Sequence, residues 1–207
     1  MKTGSRSGWL VAVVAGLALG AANSLSSALG SAYQPSSIAP DVGVPALQYL
    51  AAWLGTRWAW ALFAFFVGWW SRRLVPAVLR GLTGLLFAVL AYYLCDVALG
   101  VNDVLSVGEI GLWWVISLVV GPVMGAAGHL ARRATRWGLV IALSAPGLMV
   151  VDTLWAPTGP DSIRPWAQWC VYAGAVVLGT VLVARGVRRS RADAPTGADP
   201  RTRSAGR

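Results

Sequence analysis

The sequence predicts an all-α polytopic membrane protein with six transmembrane helices and with both the N- and C-termini in the cytoplasm. Hydrophobic residues make up 57% of the chain and charged residues only 12%, whereas about a quarter of the residues in a soluble domain are charged. Basic clusters also alternate with turns that hold carboxylates, and Lys and Arg accumulate on cytoplasmic loops. The basic clusters are Lys2/Arg6, Arg72/Arg73/Arg80, Arg132/Arg133/Arg136 and Arg185/Arg188/Arg189/Arg191.

The predicted organisation is a single membrane domain. Residues 1–8 form a cytoplasmic N-terminus, residues 9–189 the six-helix domain, and residues 190–207 a disordered basic tail, since the tail has no apolar content. The net charge of +9 lies at helix ends and in the tail. We therefore expect the partner to be a bilayer with an anionic inner leaflet and not nucleic acid. The expected location is the bacterial inner membrane.

The first predicted span runs from about Trp9 to Leu29. A basic start, an apolar run and small residues near Ala28 also fit a cleavable signal peptide. The spacing Gly16-x-x-x-Gly20 favours a retained helix, because small residues at this spacing allow close helix packing.

The remaining spans follow in order. A turn-rich loop from residue 30 to residue 56 contains Pro45, which opens a short helix, Ala46–Leu54. This helix either lies at the outer interface or begins span two, whose main part is predicted at about Trp58–Trp70. Each later span covers about 20 residues, the length needed to cross a bilayer. Spans three to six are predicted at Pro76–Leu99, Gly108–Leu130, Trp137–Trp155 and Pro165–Ala184.

The best functional candidates are Asp96 and Asp152, near the outer ends of predicted spans three and five. A carboxylate at the centre of a membrane helix costs about 2.5–3.5 kcal/mol, so such groups usually face a bundle interior or water. The polar residues predicted to lie with them suggest an outward-opening pocket for a small polar or cationic solute. The alternative is that both aspartates are hydrated residues at loop edges. The predicted pocket residues are Asn23, Arg57, Tyr92, Asp96, Asp152 and Gln168.

Glycines at helical spacing predict close helix contacts, either within the bundle or against another membrane protein. They support an alternative function, a non-catalytic accessory or scaffold subunit that binds a partner protein or a second copy of the chain. The glycines concerned are Gly16, Gly20, Gly121, Gly125 and Gly128.

Several motifs of enzymes are missing from the sequence. It has no His-Glu-x-x-His, no Cys-x-x-Cys and no Gly-x-Ser-x-Gly, the patterns of zinc proteases, thiol oxidoreductases and serine hydrolases. We therefore expect no catalytic residues, no metal and no cofactor. Cys95 and Cys170 both fall toward the outer side, where a disulfide is permitted, and two free thiols are the alternative.

Several stretches resemble an uncharacterised family of small multi-pass bacterial membrane proteins, known as a domain of unknown function. The resemblance rests on glycine-, alanine- and aromatic-rich patterns and implies an intact first span but no particular activity. A looser likeness is to the substrate-binding subunits of energy-coupling-factor transporters, six-helix proteins that bind substrate near the outer face. The stretches of the first resemblance are Gly16–Asn23, Trp60–Trp70, Ala91–Tyr93 and Gly121–Gly128.

Overall fold

A computed structural model describes residues 4–30, 44–102, 107–133, 135–156 and 164–192. The described residues do not include the tail from residue 193 or three of the carboxylates in the predicted turns, Asp41, Asp103 and Asp161. Those ranges form helices and contain no strand. The helices are α1 (Gly4–Gly30), α2 (Pro45–Leu54), α3 (Arg57–Trp69), α4 (Leu74–Ala98), α5 (Val107–Ala131), α6 (Arg136–Trp155) and α7 (Arg164–Ala192).

Five segments of these helices are long and apolar enough to cross a membrane: Ser7–Gly30, Leu74–Ala98, Val107–Ala131, Arg136–Trp155 and Arg164–Arg185. The pair Ala46–Leu54 and Arg57–Trp69 makes a sixth if its two helices, bent by 68°, are one span. The predicted all-helical, multi-pass fold is confirmed. The count of six depends on this bent pair, and the cytoplasmic placement of the termini stays a prediction.

Between α2 and α3 the chain bends by 68° at Gly55 and Thr56, and we call this bend the break. The short helix predicted at Ala46–Leu54 is therefore present and separate from the main helix of the predicted span two. Two side-chain hydrogen bonds stabilise the break, because a hydroxyl group and an indole N–H donate to carbonyls in the last turn of α2. Thr56 Oγ1 donates to the carbonyl of Trp53 at 2.6 Å, and Trp60 Nε1 donates to the carbonyl of Leu54 at 2.8 Å. Polar backbone groups inside a membrane protein need such partners, so the break is a stable element.

The last helix is longer than predicted at its C-terminal end. α7 continues to Ala192, beyond the predicted end at Ala184 and into the first three residues of the predicted tail. Arginine and alanine are strong helix formers, so the arginine-rich stretch after the apolar span remains helical. Cys170 on this helix and Cys95 on α4 are both free thiols.

Helix α4 packs against α1, α3 and α5, and α3 also packs against α5. Helices α6 and α7 form a second pair, in which α6 contacts α5 and α3. The first contact, between α1 and α4, has no side chains between the two backbones at its closest points. A Cβ atom at Gly16 would collide with the carbonyl of Gly84, and one at Gly20 with the carbonyl of Ala88. These two glycines therefore hold α1 against α4 of the same chain.

The glycines of α5 have the same role on the other side of α4. A Cβ atom at Gly121 would lie 2.6 Å from Leu82 Cα, and one at Gly125 would lie 2.5 Å from the carbonyl oxygen of Ala77. Gly128 meets the backbone of α3 in the same way. Of the two placements that the sequence left open for the glycines, the structure uses them inside the bundle.

Candidate functional site

A cavity of about 550 Å³ lies between the break and the helices α1, α4 and α5. Helix α1 and the break contribute polar side chains to its lining, and α4 and α5 contribute mostly apolar and aromatic ones. The residues that line the cavity are Asn23, Ser27, Gln48, Ala51, Ala52, Gly55, Thr56, Arg57, Trp60, Leu85, Val89, Tyr92, Tyr93, Trp113, Ile116, Ser117 and Val120.

Aromatic rings form one wall of the cavity. The rings of Trp60 and Tyr92 meet edge to face with centroids 6.5 Å apart, and those of Tyr92 and Tyr93 do so at 5.3 Å. Trp113 of α5 also lines the cavity. Edge-to-face pairs of this kind are favourable contacts that fix ring positions. The wall is therefore a packed surface of aromatic side chains.

Asn23 contributes a polar atom that has no partner. Its residue is 5% exposed, and its Oδ1 atom accepts no hydrogen bond from any described group. The atom lies beside the break, since a methyl group at Gly55 would be 3.8 Å away. A buried acceptor without a donor costs about 1–3 kcal/mol. Asn23 therefore presents an unsatisfied acceptor on the wall of the cavity.

Asp96 is buried one layer behind this wall. Ser24 Oγ donates a hydrogen bond of 2.5 Å to Asp96 Oδ1, and the Tyr92 hydroxyl is a second hydrogen-bond partner of the carboxylate. Asn102 Nδ2 makes a longer contact of 3.5 Å with Oδ2. The carboxylate thus joins α1 to α4 and touches the cavity only through Tyr92, which lines it.

Asp152 lies elsewhere and pairs with Arg57. Arg57 Nε is 2.8 Å from Asp152 Oδ1, and the side chains are 63% and 10% exposed respectively. Arg57 lines the cavity at the start of α3. Its countercharge among the described residues is therefore Asp152 on α6, while Asp96 is held by hydroxyl and amide groups.

The structure distributes the six predicted pocket residues over two groups. Asn23, Arg57 and Tyr92 line the cavity. Asp96 and Asp152 stand behind it, each bonded to one lining residue, and half-buried Gln168 on α7 is not among the lining residues. The two aspartates do not meet at one point, because one is bonded to α1 and the other to α3.

Sequence reasoning missed most of the lining. Tryptophans in membrane proteins commonly form a belt at the bilayer surface, so the sequence alone did not indicate that Trp60 and Trp113 line a cavity. The Nε1 atom of Trp60 is instead bonded to the break, and Ser117 is a buried polar residue within the apolar helix α5. A single serine in such an apolar helix was the sequence feature that could have indicated that α5 lines a cavity.

The described residues contain no group of three or more His, Cys, Asp or Glu side chains placed to hold a metal ion. His129, in the last turn of α5, lies with its Nδ1 atom 3.0 Å from the carbonyl oxygen of Ser71. Arg132 Nη1 donates to the same carbonyl at 3.3 Å. These contacts join the turn after α3 to the end of α5, so they stabilise the packing of these two elements.

The helices and the cavity define the class: a multi-pass, all-helical membrane protein with an amphipathic cavity between its helices. The chain belongs to a family of unknown function, DUF6518, whose pattern matches residues 48–198. Helix α1, which supplies Asn23 and Ser24, precedes the matched region. No curated protein and no solved structure matches the chain. These comparisons do not show the likeness to transporter subunits.

Proposed function

We propose that this protein binds a small amphipathic solute in the cavity between α1, the break, α4 and α5, and carries it across the membrane. The observation that carries the proposal is the unpartnered Oδ1 atom of Asn23 on the wall of a cavity of about 550 Å³. Pockets for small molecules usually measure about 300–1,000 Å³ and combine apolar walls with a few polar groups. This cavity has both the size and the mixture of walls.

The unsatisfied acceptor supports a ligand because buried polar atoms in proteins nearly always have partners. A group left without one either reduces stability or is kept for a binding role. Asn23 lines the same cavity as four aromatic residues, so a bound solute can supply the missing donor while its apolar part contacts the rings. Binding would then relieve the cost of the buried acceptor.

The break in span two supports transport over simple storage. Discontinuous membrane helices commonly form the substrate sites of secondary transporters, since their ends expose backbone polar groups to the solute. Here Gly55 and Thr56 form the break and both line the cavity. A change in the 68° bend would alter the cavity directly.

The basic clusters support an orientation in which the cavity lies in the outer half of the membrane. Arg72 and Arg73 precede the N-terminal end of α4, whereas Tyr92 and Tyr93 lie near its C-terminal end. Arginine-rich helix ends usually lie on the cytoplasmic side of a bacterial inner membrane. A periplasmic reporter enzyme fused after Trp155 should be active, and one fused after Arg133 inactive. The reverse pattern would contradict the proposed orientation.

The scaffold hypothesis has weaker support. It requires glycine faces that are available to a partner, whereas Gly16, Gly20, Gly121, Gly125 and Gly128 contact helices of the same chain. The exposed surface of α5 is apolar, as expected where a helix meets lipid. Solute binding is therefore the function that the geometry favours.

Thermal unfolding of the purified protein in nanodiscs, in the presence of a broad panel of small molecules, tests the proposal. We expect at least one panel member to raise the unfolding temperature, because a ligand that binds only the folded state stabilises it. Asn23→Leu and Ser117→Phe should abolish this shift, the first by removing the acceptor and the second by filling the cavity.

Gln168→Met is the matched control, since Gln168 is half-buried but does not line the cavity. This variant should keep the full ligand-induced shift. The proposal fails if no panel member stabilises the wild type. It also fails if Asn23→Leu and Ser117→Phe keep the same shift as Gln168→Met.

A further inference from the structure

We infer that the solute is an organic amine, a protonated primary or secondary ammonium attached to a ring-sized apolar body. The inference rests on the proposed function of the same cavity and adds the chemical class of its ligand. It is drawn from three features of the cavity: the type of atom that lacks a partner, the aromatic wall, and the signs of the surrounding charges.

The first feature is that the unpartnered atom is an acceptor. Asn23 Oδ1 can only accept hydrogen bonds, so the ligand must present an N–H or O–H group. A carboxylate and a quaternary ammonium both lack such a donor. Hydrogen bonds from charged donors are roughly twice as strong as those between neutral groups, so a protonated amine satisfies Asn23 better than an alcohol.

The second feature is the set of aromatic rings that line the same cavity as Asn23. Trp60, Tyr92, Tyr93 and Trp113 all line the cavity. Aromatic rings attract cations through the negative charge on their faces, and the attraction strengthens where water is excluded. The same rings give favourable contacts to a flat apolar body. An anionic solute would gain nothing from this wall.

The third feature is the charge around the cavity. Asp96 lies directly behind Tyr92, and Glu109 at the start of α5 is close enough for its charge to act on Tyr92 and Tyr93. The positive charge of Arg57 is paired with Asp152 at 2.8 Å. Negative charge therefore outweighs positive charge near the aromatic wall, which attracts a cation and repels an anion.

The apolar part of the cavity sets the size of the ligand's body. Leu85 and Val89 on α4 and Ile116 and Val120 on α5 line it. These side chains offer no hydrogen bonds, so they suit a hydrocarbon or aromatic portion of the solute. A short, highly hydrated polyamine would leave this half of the cavity without contacts.

Four probes with one shared body separate the chemical classes: 2-phenylethylamine, its N,N,N-trimethyl analogue, 2-phenylethanol and 3-phenylpropionate. Their dissociation constants are measured by calorimetry on the full-length protein in nanodiscs. We expect the primary amine to bind at least about tenfold more tightly than each of the other three, because one charge-assisted hydrogen bond is worth about one factor of ten or more.

Two substitutions link this preference to Asn23. Asn23→Leu should weaken binding of the amine until it is within about threefold of the trimethyl analogue, because the acceptor is gone. Asn23→Asp keeps an acceptor and adds negative charge, so it should bind the amine at least as tightly as the wild type. A purely structural role of Asn23 would make both variants lose binding together.

The outcomes distinguish this inference from the proposed function. Tighter binding of the alcohol or the carboxylate, with loss in Asn23→Leu, overturns the amine assignment and leaves solute binding standing. Equal binding of the amine and its trimethyl analogue also overturns it. If none of the four probes binds while another compound of the broad panel does, the assignment fails alone; if nothing binds at all, both proposals fail.

Discussion

Ser24 and Ser26 form a matched pair that measures what the hydrogen bond to Asp96 contributes to stability. Both serines lie on α1 and are almost fully buried, at 0% and 1% exposure. Ser24 donates to the carboxylate of Asp96 on α4, whereas Ser26 donates to the carbonyl of Asn23 on its own helix. The variants Ser24→Ala and Ser26→Ala remove the same atom from nearly the same environment.

The two losses should differ in size because the acceptors differ. A hydrogen bond to a charged group contributes about 1.5–3 kcal/mol, and Ser24→Ala also leaves a buried carboxylate with fewer donors. The acceptor of Ser26 is a helical carbonyl that keeps its backbone hydrogen bond without the hydroxyl. We therefore expect Ser24→Ala to lower the free energy of unfolding by about 2 kcal/mol and Ser26→Ala to change it by less than about 1 kcal/mol.

The measurement is reversible chemical unfolding in mixed micelles, followed by circular dichroism at 222 nm. A double-mutant cycle with Asp96→Asn isolates the pair, since the effect of Ser24→Ala should shrink when the carboxylate is absent. Coupling energies between contacting residues are about 0.5–3 kcal/mol. The cycle therefore distinguishes the hydrogen bond from a general effect of removing a buried hydroxyl.

Equal destabilisation by Ser24→Ala and Ser26→Ala would refute this reasoning, because burial alone would then explain both losses. A coupling energy of zero with Asp96→Asn would refute it independently. In either case the carboxylate would not depend on Ser24, and Asp96 would not be the group that joins α1 to α4.

Two further predictions concern packing and charge. Gly20→Ala should lower the free energy of unfolding by about 1–3 kcal/mol, because the added methyl group meets the α4 backbone. Gly147→Ala should raise it by about 0.5–1 kcal/mol, because a methyl group there meets no described atom within 4 Å. Equal changes for the two variants in unfolding experiments would contradict the assigned contact. Asp152→Asn should lower stability by less than about 1 kcal/mol, because the Arg57 side chain is 63% exposed and exposed ion pairs contribute little. A loss several times larger would show that this pair is shielded from solvent.

Several parts of the candidate site were accessible from the sequence. Polar residues in apolar helices are few, and Asn23 and Asp96 stood out for that reason. The partner of Asp96 did not, since Ser24 is 72 residues away along the chain and serine is common in membrane helices. The pairing of Arg57 with Asp152 was likewise one of several that charge alone allowed.

The sequence by itself determined that the chain is helical, multi-pass and apolar, because the length and hydropathy of a membrane span are properties of the segment alone. Only the tertiary structure decided which faces meet. In a membrane helix the residues that face lipid and those that face protein are both apolar, so hydrophobic periodicity does not indicate the buried side. The break at Gly55 and the cavity beside Asn23 depend on how α1, α4 and α5 pack around it, and those contacts join residues far apart in the chain.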